Sequence, residues 1–254
     1  MQRSITTDKL LHQPPGTAAV LFNSVRAVQV RADVKSPYDT FGTAVRHVGP
    51  VLPETMETFE NWVTEFQRLA HIELSAVVLC SVWREAKVGE VINRHAEGLA
   101  LDIGGVWLSR LKGITAWGYS RDRERAVGLE ASLRLFFGTV LGPTANKDHA
   151  HHWHVDLGKA VGLTAGEIEE SRRWRKVEVV FIQDGLVTLF SHRGLAIDGS
   201  YGPKTKAAVG SILAELGYSD GDITNPSAYK AFLRAAVYVG WGVVEKPGDL
   251  GHQI

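Results

Sequence analysis

Residues 94–102 read RHAEGLALD, and the run continues as IGGVWL to residue 108. Successive side chains of an extended chain point to opposite faces. From Gly98 on, Leu99, Leu101 and Ile103 therefore share one face, and Ala100, Asp102 and Gly104 share the other. The first set is apolar and anchors a strand on a core. The second places a carboxylate between very small neighbours, which leaves room for a ligand beside the sheet. His95 lies seven positions before Asp102 and has the opposite parity, so the two converge only if the chain bends between them. Gly98 offers that bend.

A second stretch, HAHHWHVD at 149–156, holds four of the ten histidines. On a strand His152 and His154 point one way and Trp153 the other, which suits a metal site with the indole in the core. Zinc accepts imidazole and carboxylate ligands, and a catalytic zinc keeps one position for water. Three protein ligands then suffice, and the remaining histidines are left for other work.

The rest of the chain frames these two stretches. It has 254 residues, 44% of them hydrophobic and 22% charged, with zero formal net charge. That is a globular composition, long enough for one large or two smaller domains. No basic excess points to nucleic acid, and no apolar run is long enough to span a membrane. The N-terminal residues MQRSITTDKLLHQPPG lack the uninterrupted apolar stretch of a signal peptide. Cys80 is the only cysteine, so no disulfide within the chain is possible. Alternation predicts strands over 25–34, 98–108 and 151–158, and the apolar run at 75–82 reads as a buried strand. Apolar residues at helical spacing predict a helix over 54–70, and 131–142 reads as a helix running into a strand. The charge-rich segment 167–178 separates this part from two further helical stripes, 204–217 and the one opened by Asn225-Pro226. The expected organisation is an N-terminal segment, 1–70, that either serves delivery or completes the fold of the next unit; a core at 71–166; a linker at 167–176; and a helical domain at 177–254.

His95, Gly98, Ala100 and Asp102 fill the pattern His-x-x-Gly-x-Ala-x-Asp. This resembles the first metal motif of the lysostaphin, D-Ala-D-Ala peptidase and hedgehog superfamily. His152-x-His154 resembles the end of its second motif. More closely, FGTVLGP at 137–143 followed by the histidine cluster is similar to the bacterial extensin-like C-terminal family. The resemblance implies an α+β fold around a small antiparallel sheet, zinc bound by His95, Asp102 and His154, and hydrolysis of peptide bonds in peptidoglycan. Many relatives carry an acidic base three residues before the last ligand, where this chain has His151. The murein endopeptidase branch instead uses histidines matching His149 and His152. Strand parity puts His152 beside His154, so His152 is the favoured base and transition-state donor, with His149 and His151 as the other candidates. Relatives also place an arginine upstream of the first motif to bind a substrate carboxylate, and Arg84 is the matching residue here. Asp156 shares the face of His152 and His154 and is placed to orient an imidazole.

IDGSYGPKTKAAV at 197–209 resembles the turn signature of the common peptidoglycan-binding domain, a three-helix module. Its residues chiefly build a turn, with Tyr201 plugging it to the core. Together the two resemblances imply a zinc peptidoglycan peptidase with a wall-targeting module, either a carboxypeptidase or an endopeptidase. The alternative is a non-catalytic zinc-containing wall-binding protein. The expected site of action is the periplasm or wall, reached by phage-type lysis or as a toxin through a dedicated route. The expected partners are peptidoglycan and, for a toxin, a secretion apparatus and an immunity protein.

Overall fold

The fold is described over residues 26–29, 51–81, 94–108, 113–158 and 173–253 of a computed structural model. Arg84 and most of the segment before residue 51 lie outside these residues.

Among the described residues the chain forms one six-stranded sheet and five α-helices. The strands are β1 (Arg26–Gln29), β2 (Leu74–Ser81), β3 (Ala100–Leu108), β4 (Ile114–Thr115), β5 (Thr139–Leu141) and β6 (Trp153–Asp156). Their order is β1-β2-β3-β6-β5, with β4 also paired to β3. The sheet is antiparallel except at one edge, where β1 runs parallel to β2. The helices are α1 (Pro53–Ala70), α2 (Arg123–Arg134), α3 (Arg173–Thr188), α4 (Pro203–Glu215) and α5 (Pro226–Gly240). The architecture is α+β.

Helix α1 follows its sequence pattern. Pro53 sits at the first helical position, and Phe59, Trp62, Val63, Phe66 and Leu69 are all buried. Its Trp62 indole donates to Ser132 Oγ at 2.9 Å, tying α1 to α2. Helix α2 begins eight residues before the predicted 131–142 element. Every residue from Ala126 to Arg134 is buried, so α2 has no polar face, and periodicity has nothing to register.

Strand β3 does not alternate cleanly. Val78 pairs with Gly105 while Leu79 pairs with Ile103, so Gly104 is an extra residue, and a matching slip occurs at Cys80 on β2. Each bulge re-aims the strand. Consequently Leu101 and Ile103 before the bulge, and Val106 and Leu108 after it, all reach the same core. A methyl on Gly104 would lie 2.7 Å from Cys80 Sγ, so glycine is what lets the two bulges nest.

The C-terminal helices pack onto the sheet unit. Helix α3 begins inside the segment expected as a linker, and the core cluster runs without a break from Val51 to Leu250. The rings of Phe66 and Trp241 meet edge-on at 5.2 Å. Helix α5 approaches α2 at a glycine pair, where a methyl on Gly240 would lie 2.7 Å from Glu124 O and 3.1 Å from Gly128 Cα. Asp184 of α3, fully buried, accepts from Tyr119 Oη (2.5 Å), Arg123 Nε (2.9 Å) and Thr188 Oγ1 (2.7 Å). The 198–205 turn is built by its own signature residues around Gln183 of α3. The Gln183 amide donates to Asp198 Oδ1, Ser200 O and Thr205 Oγ1, and its carbonyl accepts from the Asp198 and Gly199 N–H groups. Tyr201 packs against the core.

Candidate metal centre

The bend expected at Gly98 is a tight turn. Leu99 N–H donates to Arg94 O (2.9 Å) and Gly98 N–H to His95 O (3.1 Å), with Gly98 in the left-handed region at φ 71°. These nested bonds form a Schellman-type closure, which glycine adopts without steric cost. The start of α1 fixes the turn from outside, because Leu52 N–H and Thr55 Oγ1 both donate to Gly98 O at 2.9 Å. His95 is thereby buried and aimed along β3. On the neighbouring strand, register places His154 directly opposite Asp102. A cross-strand pair shares one face with Cβ atoms about 5 Å apart.

Three donor atoms converge from these elements. His95 Nε2 lies 3.1 Å from Asp102 Oδ1 and 3.2 Å from His154 Nδ1, and His154 Nδ1 lies 3.0 Å from Asp102 Oδ1. This is the one group among the described residues that could hold a metal ion. Tetrahedral zinc with ligands at about 2.0–2.1 Å separates them by roughly 3.3–3.4 Å. The triangle is slightly tighter than that and fits the ion with little adjustment. Two imidazoles and one carboxylate also suit zinc chemically.

The electrostatics match the geometry. Burial opposes ionisation of Asp102, but hydrogen bonds from His154 and His95 hold its carboxyl far below the usual range. Burial likewise opposes charge on His154, yet bonds to Asp102 and Asp156 raise its pKa to about 9. The second ring nitrogen of His154, Nε2, lies 3.2 Å from Asp156 Oδ2. The other oxygen of Asp156 accepts the Gly158 N–H at 2.7 Å. Asp156 thus holds the ring so that Nδ1 faces the triangle.

The remaining histidines surround this triangle. His152 Nε2 lies 3.4 Å from Asp102 Oδ1. Its Nδ1 is buried and has no hydrogen-bond partner among the described residues. Burial lowers the His152 pKa to about 4, so its ring is neutral at pH 7. The His149 ring packs 5.1 Å from that of His152 and 6.0 Å from that of His154. Its Nδ1 is 2.9 Å from Asn146 Oδ1, which also caps the short turn Lys147–His149, and burial again lowers its pKa. His151 stacks edge-on against His152 at 4.6 Å and is half-buried. The structure therefore gathers six of the seven candidate residues, and Arg84 lies outside the described residues.

Asn146, Thr55 and Glu130 support the site and carry no motif. Trp153, between the two site-facing histidines, donates its indole N–H to Glu130 Oε2 at 3.0 Å. Glu130 is held by Arg134 Nη2 at 2.7 Å, and Arg134 bonds Val140 O and pairs with Glu178 of α3. Burial raises the Glu130 pKa, opposed by Arg134. Strand β6, which carries His154, is thus braced from behind by a buried ionic network.

A small mixed sheet that carries two histidines and an aspartate in ligand geometry defines a candidate single-metal centre. In comparison with known proteins, the family described as extensin-like protein C-terminus matches residues 20–165. That span covers more than half of the chain and every residue of the cluster, and the chain belongs to this family. No curated protein and no solved structure matches.

Proposed function

We propose that the protein is a zinc-dependent peptidase that cuts peptide bonds in peptidoglycan stem peptides or cross-links. The observation that carries the proposal is the triangle of His95, Asp102 and His154 donors at 3.0–3.2 Å with the neutral ring of His152 beside it. When bound, zinc supplies Lewis acidity, which activates water and polarises the scissile carbonyl. His95, Asp102 and His154 would hold the ion. His152 accepts the proton of the attacking water at one ring nitrogen. The same ring returns that proton to the departing amine. Its second proposed duty is donation to the oxygen that gains charge. His149 and His151 are the alternative carriers of these roles, and Arg84 is the proposed anchor for a substrate carboxylate. The helices from residue 177 on supply wall targeting, supported by the signature at 197–209. Action in the periplasm or wall then requires delivery by lysis or by a dedicated route. Among the described residues no helix is long and apolar enough to cross a membrane.

The test is zinc content and turnover of defined muropeptides for single variants. His154→Ala should lose stoichiometric zinc. His152→Ala should keep zinc and fold but lose about 10²–10⁴ in turnover, with His151→Ala milder. If His154→Ala retains one zinc per chain, the ligand set is wrong. If His151→Ala is inactive and His152→Ala is normal, the base is His151. Stoichiometric zinc without turnover on any wall substrate would leave the alternative, a non-catalytic zinc-containing wall-binding protein.

A further inference from the structure

Asn146 opens the short turn that carries His149, and its side chain makes three contacts through one atom. Oδ1 lies 2.8 Å from the Asp148 backbone nitrogen, 3.2 Å from that of His149 and 2.9 Å from His149 Nδ1. The first two partners are backbone N–H groups, which only donate. The atom that meets them is therefore the amide oxygen and not the amide nitrogen. An amide oxygen only accepts. The third partner must then donate as well, so His149 Nδ1 carries a proton.

A neutral imidazole shares one proton between two ring nitrogens. Burial and the charge of His154 lower the His149 pKa, so the half-buried ring is neutral at pH 7. With the proton on Nδ1, Nε2 is left with a lone pair. Free histidine prefers the reverse form, with the proton on Nε2. The turn thus selects the less common tautomer.

The choice matters because of where the ring sits. Its centroid lies 5.1 Å from that of His152 and 6.0 Å from that of His154. His95, His152 and His154 each place a ring nitrogen within 3.4 Å of the Asp102 carboxylate, whereas His149 is held by a neutral amide. An aspartate at position 146 would cap the turn equally well and hold the ring the same way. Its charge would also favour the imidazolium. Asparagine fixes the ring and leaves it uncharged. Two duties are open to the site histidines: accepting the proton of the attacking water, and donating to the oxygen that gains charge. A ring whose one proton is committed to Asn146 has none to give and can serve only the first.

We propose that Asn146 is a positioning residue that fixes His149 in its Nδ1–H tautomer and so confines the neutral ring to accepting at Nε2. The part His149 plays in turnover rests on the peptidase reading above, whereas the tautomer stands on the turn itself.

The experiment is a long-range proton–nitrogen correlation spectrum of the full chain with nitrogen-labelled histidine, with and without zinc. It is paired with turnover of defined muropeptides by the zinc-loaded chain. The His149 ring, identified by its absence in His149→Gln, should show a protonated Nδ1 and an unprotonated Nε2. Asn146→Asp should keep that pattern. Asn146→Ser retains a cap for the turn, but its shorter side chain should release the ring. The proton should then move toward Nε2, and kcat should fall about tenfold at unchanged KM. A proton on Nε2 in the wild type overturns the proposal. So does a loss of thermal stability in Asn146→Ser without movement of the proton, which would make Asn146 a cap alone. A moved proton with unchanged kcat overturns the accepting role of His149. Should the wild type cut no wall substrate, the peptidase reading fails, and the spectrum, read without substrate, still decides whether Asn146 sets the tautomer.

Discussion

His154 divides its two ring nitrogens between two carboxylates, so a metal ion taken up at Nδ1 would compete with a proton there. In the metal-free chain its pKa of about 9 lies above the ordinary value near 6.5, so its contribution to stability is complete below about 6.5. That contribution is lost as pH rises through about 9. Asp102, held low, contributes above about pH 4 and loses this as pH falls further. A zinc ion binding at the triangle would have to displace the proton on Nδ1. Apparent zinc affinity should therefore rise about tenfold per pH unit between pH 7 and 9 and level off above. Competition with a chelator of known affinity measures the slope, and a flat profile contradicts the assignment. Asp156 is the second lever. Asp156→Ala leaves Nε2–H without its acceptor and should weaken zinc about 10–100-fold, whereas Asp156→Asn, which keeps an acceptor oxygen, should lose less. Equal zinc affinity in all three proteins would deny Asp156 its orienting part.

At the level of elements, the strands that carry the ligands were legible because a period of two leaves a plain trace. Leu101 and Ile103 against Ala100 and Asp102, and Trp153 between two histidines, predicted β3, β6 and their shared face. The glycine bend followed from the parity conflict between His95 and Asp102. Helix α2 was read late and short, since burial on every side erases the pattern that betrays a surface helix. The bulge at Gly104 left no signal either, because its cause is the nesting of Cys80 across the sheet. The brace behind β6 was equally hidden, as nothing near Glu130 or Arg134 in sequence reveals that Trp153 lies against them. Glu130→Ala should cost about 3–5 kcal/mol in denaturant unfolding, since it strips the indole of its acceptor and Arg134 of one buried partner. Gly240→Ala should cost about 1–3 kcal/mol by wedging α5 from α2, where backbone rather than a flexible side chain blocks the methyl.

Over the whole molecule, change of sequence pattern and independence of folding are different things. The composition shift at 167–178 separates a mixed region from a helical one. Yet Phe66 meets Trp241, Arg134 pairs with Glu178, and Tyr119 and Arg123 share Asp184 across that divide. The full chain should accordingly melt in one calorimetric transition. A chain ending at residue 172 should lack the dispersed amide spectrum of a folded protein, because the lost contacts rival the whole stability of a domain. Two separate transitions, or a folded truncated chain, would show the units to be autonomous. The nested bulges carry one more consequence. The single thiol of the protein, on Cys80, is pushed up to about 12 by burial and by the negative charge of Asp102. At pH 8 only about one such thiol in ten thousand is ionised, against roughly a quarter of an ordinary cysteine's. The native sulfur is nearly inert to alkylation and becomes ordinary only when the chain around it comes apart. A mass increment at one atom thus serves as a stopwatch for how often the sheet breathes open beside Asp102.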